Sequence, residues 1–303
     1  MKKQLLILAA ILSLHASAAN APRVGLDQAQ LFLKSFRQGL DILDTQAAAT
    51  FDETINFQPG LNLYVEAQRL NDIISEKGSQ LCAPIAITHG MTYLRYAVPF
   101  ANLKSVGDVD RDGTADTYGD KIRYFYDRCK TDRDGGTHYS DAMMCMREYI
   151  EESGYNSWAY MMGPHAPDAP AGLPIESTRH VVKVDDIRAS VGHGFLVLMG
   201  IGWYRLDPAT NTWNREGGHF FNVYGYDWMN AWGNEKMSLH VVNSWINYEG
   251  RARENMFDTI SMTRIAGEAG VPAEVGFELK GTGFDFTTHR AFVEDIFPAS
   301  PLK

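Results

Sequence analysis

Cysteine is scarce in this chain. Its 303 residues include three, Cys82, Cys129 and Cys145, too few for a disulfide framework. No paired Cys-x-x-Cys and no His-Glu-x-x-His run is present to hold zinc. Basic runs are missing as well, and a net charge of -9 with a pI near 5.5 argues against nucleic acid or an anionic membrane as partner. There is no internal repeat or low-complexity tract, which leaves one large domain or two lobes sharing a cleft. Long apolar runs are confined to Leu5–Leu14, too short to span a bilayer. That run follows Met1-Lys2-Lys3 and precedes Ala16-Ser17-Ala18, the three parts of a secretory signal peptide. Cleavage is expected after Ala18, giving a soluble, exported protein, periplasmic or secreted, of bacterial type.

An odd cysteine count in an exported chain asks which thiol is left over. Cys129 and Cys145 are close enough to close a loop of about fifteen residues, which would stabilise the fold by about 3 kcal/mol. Cys82 then remains. It opens Cys82-Ala83-Pro84-Ile85-Ala86, where Pro84 suits the first turn of a helix because its missing N–H has no intrahelical partner there. Ile87, Met91, Leu94 and Val98 follow at helical spacing until Pro99. A cysteine at a helix N-terminus meets unpaired N–H groups and the positive end of the macrodipole, both of which favour a thiolate. Cys82 is the candidate nucleophile; the alternative is an inert buried cysteine.

The first half reads as helical. Leu26–Leu43 and Leu63–Ile74 carry apolar faces, with irregular chain between them. After the Cys82 helix comes Asp108-Val109-Asp110-Arg111-Asp112-Gly113-Thr114-Ala115-Asp116, with Asp120 beyond it. Carboxylates at positions 1, 3, 5 and 9 and a glycine at 6 match the first part of an EF-hand calcium loop, though position 12 is Gly119 and not glutamate. Asp108, Asp110, Asp112, Thr114, Asp116 and Asp120 are the candidate ligands of a structural calcium ion; a solvated acidic turn is the other reading. No organic cofactor is expected. Helices are expected again from Lys121 and over Tyr139–Ser153. The proline- and glycine-containing loop Gly163–Leu173 marks the change to a strand-rich half.

The second half alternates strands and turns. Phe195–Gly202 reads as a strand buried on both faces. Gly218-His219-Phe220-Phe221-Asn222-Val223-Tyr224-Gly225-Tyr226 and Met237–Asn243 read as a hairpin, which would bring His219 close to Asn243. The order cysteine, histidine, asparagine is that of the papain-like cysteine peptidases. The His219 strand and Asn243-Ser244-Trp245 resemble their histidine strand and their Asn-Ser-Trp motif. His219 follows Cys82 by 137 residues, within the roughly 130 to 150 of that group. In overall shape the chain also resembles the bacterial double-glycine-type branch of the clan. The resemblance covers residues 78–98 and about 193–250. It departs in two places: the glutamine that completes the family's oxyanion hole lies about six residues before the cysteine, whereas Gln80 is two before, and no tryptophan follows Cys82.

The resemblance implies an α+β, papain-like fold with a helical lobe over 19–174 and a β-rich lobe over 175–303, an active-site cleft lying between them. It implies a thiol peptidase or amidase in which Cys82 attacks, His219 acts as base and acid, Asn243 orients the imidazole and Gln80 contributes to the oxyanion hole. Trp245 would shield the histidine–asparagine bond, and Trp203 would line a cleft for a peptide or protein substrate. The alternatives are a silent papain-like domain that binds peptides or proteins, a transglutaminase-type acyl transferase, and a calcium-dependent structural module. His89 and His193 read as packing and loop residues.

Overall fold

A computed structural model describes residues 51–56, 67–97, 108–166, 179–231, 234–244, 257–281, 284 and 288–302. The expected signal segment, the expected 26–43 helix and Trp245 lie outside them. The chain is mixed α+β, with one large antiparallel sheet and a few helices. In order these are β1 (Phe51–Asn56), α1 (Ala67–Lys77), α2 (Cys82–Ala97), α3 (Tyr118–Arg128), α4 (Tyr139–Glu152) and β2 (Asn156–Ala159). Then follow α5 (Val184–Gly192), β3 (Leu196–Asp207), β4 (Thr212–Ala231), β5 (Asn234–Val242), β6 (Phe257–Arg264), β7 (Phe277–Lys280) and β8 (His289–Leu302).

The sheet order is β1-β4-β3-β8-β7-β6-β5, and β4 pairs with β5 as well. Strands β3 to β8 therefore form a closed antiparallel ring, which leaves no free edge among them. The hairpin read from the sequence is β4–β5, with Asn222 opposite Val242 and Tyr226 opposite Leu239. The two halves are not cleanly divided. β1, in a stretch expected to be irregular, pairs with the far end of β4, and β2 pairs with β8.

Alternation along the ring strands sorts side chains between two cores. Val197, Met199 and Ile201 of β3 join Phe221, Leu239, Ile260 and Val293 in one cluster, which fills the ring. Leu196, Leu198, Phe220 and Phe297 face the other way, onto a second cluster with the helices. Over Leu196–Gly202, β3 is thus buried on both faces, as its unbroken apolar run predicts. α2 lays Ile87, Met91 and Leu94, all fully buried, into that outer core. Asn222 of β4 ties the helix down by donating from Nδ2 to the Ala86 carbonyl at 2.6 Å. A Cys129–Cys145 disulfide joins the end of α3 to α4, leaving Cys82 as the free thiol. Among the described residues no helix is long and apolar enough to cross a membrane.

Candidate active site and acidic loop

Cys82 is the first residue of α2 and is partly buried. Backbone hydrogen bonds from Phe220, Ala83 and its own residue favour the thiolate, but burial outweighs them and pushes the thiol up. The Phe220 contact places the thiol one residue from His219 on β4. His219 is buried and faces the interior of the ring, with Trp203 and Phe221 at ring-centroid distances of 6.4 and 6.2 Å.

The β4–β5 pairing brings Asn243 to His219 as expected. His219 Nε2 lies 3.0 Å from Asn243 Oδ1. Because that oxygen can only accept, Nε2 carries the hydrogen, and in the neutral ring Nδ1 holds the lone pair. Ser244 adds a hydroxyl 3.3 Å from Nε2, while donating to the Phe220 carbonyl. Burial pushes His219 down to about 4, with the Asn243 hydrogen bond acting against it. Taken singly, both groups therefore rest neutral at pH 7.

Gln80 is half-buried just before α2, and its Oε1 points at the 131–137 turn, 3.5 Å from where a Cβ on Gly136 would stand. Trp203 packs on Phe284 beside His219. His89 is buried and pushed down to about 3 by burial, with no partner for either ring nitrogen among the described residues. His193 is exposed at the end of α5.

The acidic loop splits its six candidate ligands. Asp108, Asp110 and Asp116 each place an oxygen within 4.8 Å of the others, a spacing a hard cation can bridge. Asp108 also accepts from the Gly113 amide at 3.0 Å, which curls the loop. Asp112 and Thr114 bond to each other instead, with Thr114 N 2.7 Å from Asp112 Oδ1. Asp120 is engaged elsewhere, since its Oδ2 accepts from the Thr117 amide at 3.0 Å in the capping box of α3, and Arg123 pairs with it at 3.4 Å. A Thr-x-x-Asp spacing at a helix start was the signal in the sequence.

No protein-family model, curated protein or solved structure matches the chain.

One buried cluster was not anticipated. Glu294 and Asp295 are fully buried side by side on β8, at a bulge in its pairing with β3. They hold Arg215, Tyr139, Tyr204 and His165. The signal was present in the run Ala291-Phe292-Val293-Glu294-Asp295-Ile296-Phe297, two carboxylates inside an apolar strand.

Proposed function

We propose that the protein is an exported, papain-like thiol hydrolase that cleaves peptide-like bonds through an acyl-thioenzyme on Cys82. The observation that carries this reading is the His219–Asn243 bond at 3.0 Å, one residue from the backbone that contacts the thiol. With Nε2 held by Asn243, Nδ1 is the basic nitrogen. The reaction requires Nδ1 to reach the thiol past the Phe220 backbone; it then takes the Cys82 proton as sulfur bonds to the acyl carbon, and gives it to the leaving amine. Water, deprotonated by the same nitrogen, releases the acid and restores the thiol. The Cys82 N–H at the start of α2 serves the oxyanion, and Gln80 would join it as a donor only on turning away from the 131–137 turn. Trp203, beside His219, lines the substrate cleft between the helical and β-rich lobes.

The neutral resting states of both groups favour a base that acts during attack over a preformed ion pair. They also support the second reading, a silent peptide-binding domain of the same fold. Iodoacetamide labelling of Cys82, followed by mass spectrometry from pH 4 to 9, separates the two. For the hydrolase, labelling at pH 7 falls by about 100-fold in His219→Ala, the range of general-base assistance. Labelling that begins only above about pH 9, and that His219→Ala leaves unchanged, supports the silent domain.

We propose in addition that Asp108, Asp110 and Asp116 hold a structural calcium ion. Added calcium should raise the thermal midpoint, and Asp110→Asn should remove the response. A midpoint indifferent to calcium overturns this.

A further inference from the structure

The Glu294–Asp295 cluster is built to present two cations beside the candidate active site. His165 gives Nδ1 to Asp295 Oδ2 at 2.7 Å and its backbone N–H to Oδ1 at 3.2 Å. Arg215 gives Nε to Glu294 Oε1 at 2.7 Å and Nη2 to Oε2 at 3.0 Å. The carboxylates are fully buried, while the side chains of His165 and Arg215 remain 42% and 40% exposed. Space for the floor is made by Gly163, where a Cβ would come within 2.0 Å of Asp295 Oδ1 at a φ of +154° that disfavours side chains.

Tyr139 links the two cations to the Cys82 surface. Its ring lies 5.0 Å from that of His165 and 5.3 Å from that of Phe220, and its hydroxyl is 3.2 Å from Arg215 Nη2. Arg215 Nη2 also lies 2.6 Å from where a Cβ on Gly218 would stand, next to His219. Asp295 raises the pKa of His165, foremost through the hydrogen bond, with burial and then Arg215 acting against it; the imidazole is thereby held toward its charged form. Fixed by its Nδ1, that ring turns Nε2 outward, and no protein partner for Nε2 occurs among the described residues. The remaining guanidinium N–H groups of Arg215 are likewise donors only.

We propose that His165 and Arg215 form a carboxylate-binding subsite bordering the Cys82 face of β4, which selects peptide-like substrates that carry a carboxylate near the scissile bond. The substrate role rests on the hydrolase reading; the binding itself does not. A carboxylate suits the site because the accessible groups are the two cations, while the two buried carboxylates behind them limit the attraction to a singly charged ligand. A dianion such as phosphate would be repelled by two carboxylates across a low-dielectric floor. On a protein of net charge -9, an anionic ligand needs local cations of this kind.

The test is NMR of the His165 ring signals in the whole mature chain, titrated with N-acetylglycine, with N-acetylglutamic acid α-amide and with N-acetylglycinamide. A saturable shift at His165 is expected with one or both acids and absent with the amide; the stronger acid tells a chain-terminal carboxylate from a side-chain one. His165→Gln, which keeps a donor for Asp295, and Arg215→Lys should each weaken binding of that acid at least tenfold by calorimetry. Equal response to acid and amide, no shift at His165, or full affinity in both variants overturns the proposal. Because no turnover is measured, acid binding in a protein whose Cys82 fails the labelling test would leave the carboxylate site standing and remove only the hydrolase.

Discussion

The two sides of the β3–β4 pair hold a histidine in opposite ways. Inside the ring, His219 is buried among Trp203 and Phe221, and its partner is a neutral amide. Outside, His165 is half-exposed and its partner is the fully buried carboxylate of Asp295. The first is driven toward the neutral base, the second toward the cation. The partner and the depth of burial set the charge, not the residue type. One imidazole is thereby suited to take a proton and the other to attract an anion.

The comparison implies that the outer side stores more of the stability in polar bonds. Glu294 accepts from Tyr139, Tyr204 and Arg215. Glu294→Ala strands those donors, each costing about 1 to 3 kcal/mol when buried, less for the part-exposed Arg215. A loss of about 3 kcal/mol or more in urea unfolding is expected. Asn243→Ala, which removes one neutral bond from the inner side, should cost about 1 kcal/mol. Equal losses in the two variants would erase the distinction.

Much of the Cys82–His219–Asn243 set was legible in the sequence, and little of the outer carboxylate cluster. Cys82, His219 and Asn243 are each anchored by a local rule: proline in a helix's first turn, an apolar strand opened by histidine, and a hairpin whose ends must meet. The free Cys82 and the 129–145 disulfide followed from counting thiols. The outer cluster depends on tertiary pairing, since Tyr139, His165, Arg215 and Glu294 come from four separate segments. Asp120 takes part in the α3 cap, which the sequence alone does not separate from the loop because a carboxylate near an acidic loop and one at a helix start look alike until the cap bonds form. β1 escaped notice because Phe51–Asn56 is too short and too charged to predict a strand; it pairs with an edge that β4 supplies. α5 was likewise unforeseen, although Val184, Ile187 and Val191 recur at helical spacing.

A finer way to break the comparison is to give the inner histidine the outer histidine's partner. In the protein His219 sits at about 4, below the 6.5 of an unfolded chain, so the unfolded state binds more protons between those values. Stability contributed by His219 is therefore present above about 6.5 and lost as pH falls toward 4, on the order of 3 kcal/mol in full. His89, pushed to about 3 by burial, adds to the same acid limb. His165 has the opposite sign: its contribution is present below 6.5 and lost as pH rises through its raised value. Asn243→Asp sets a carboxylate 3.0 Å from His219 Nε2 and should raise the imidazole by at least one unit. Desolvation of the new ion pair offsets part of the attraction, so the net change in stability at pH 7 should be only about 1 kcal/mol. The clearer mark is the slope. Urea unfolding at pH 5 and pH 7 should differ less in Asn243→Asp than in the wild type, with the His89 portion left in place. An unchanged slope would mean that His89 alone carries the acid limb and that His219 does not titrate within it.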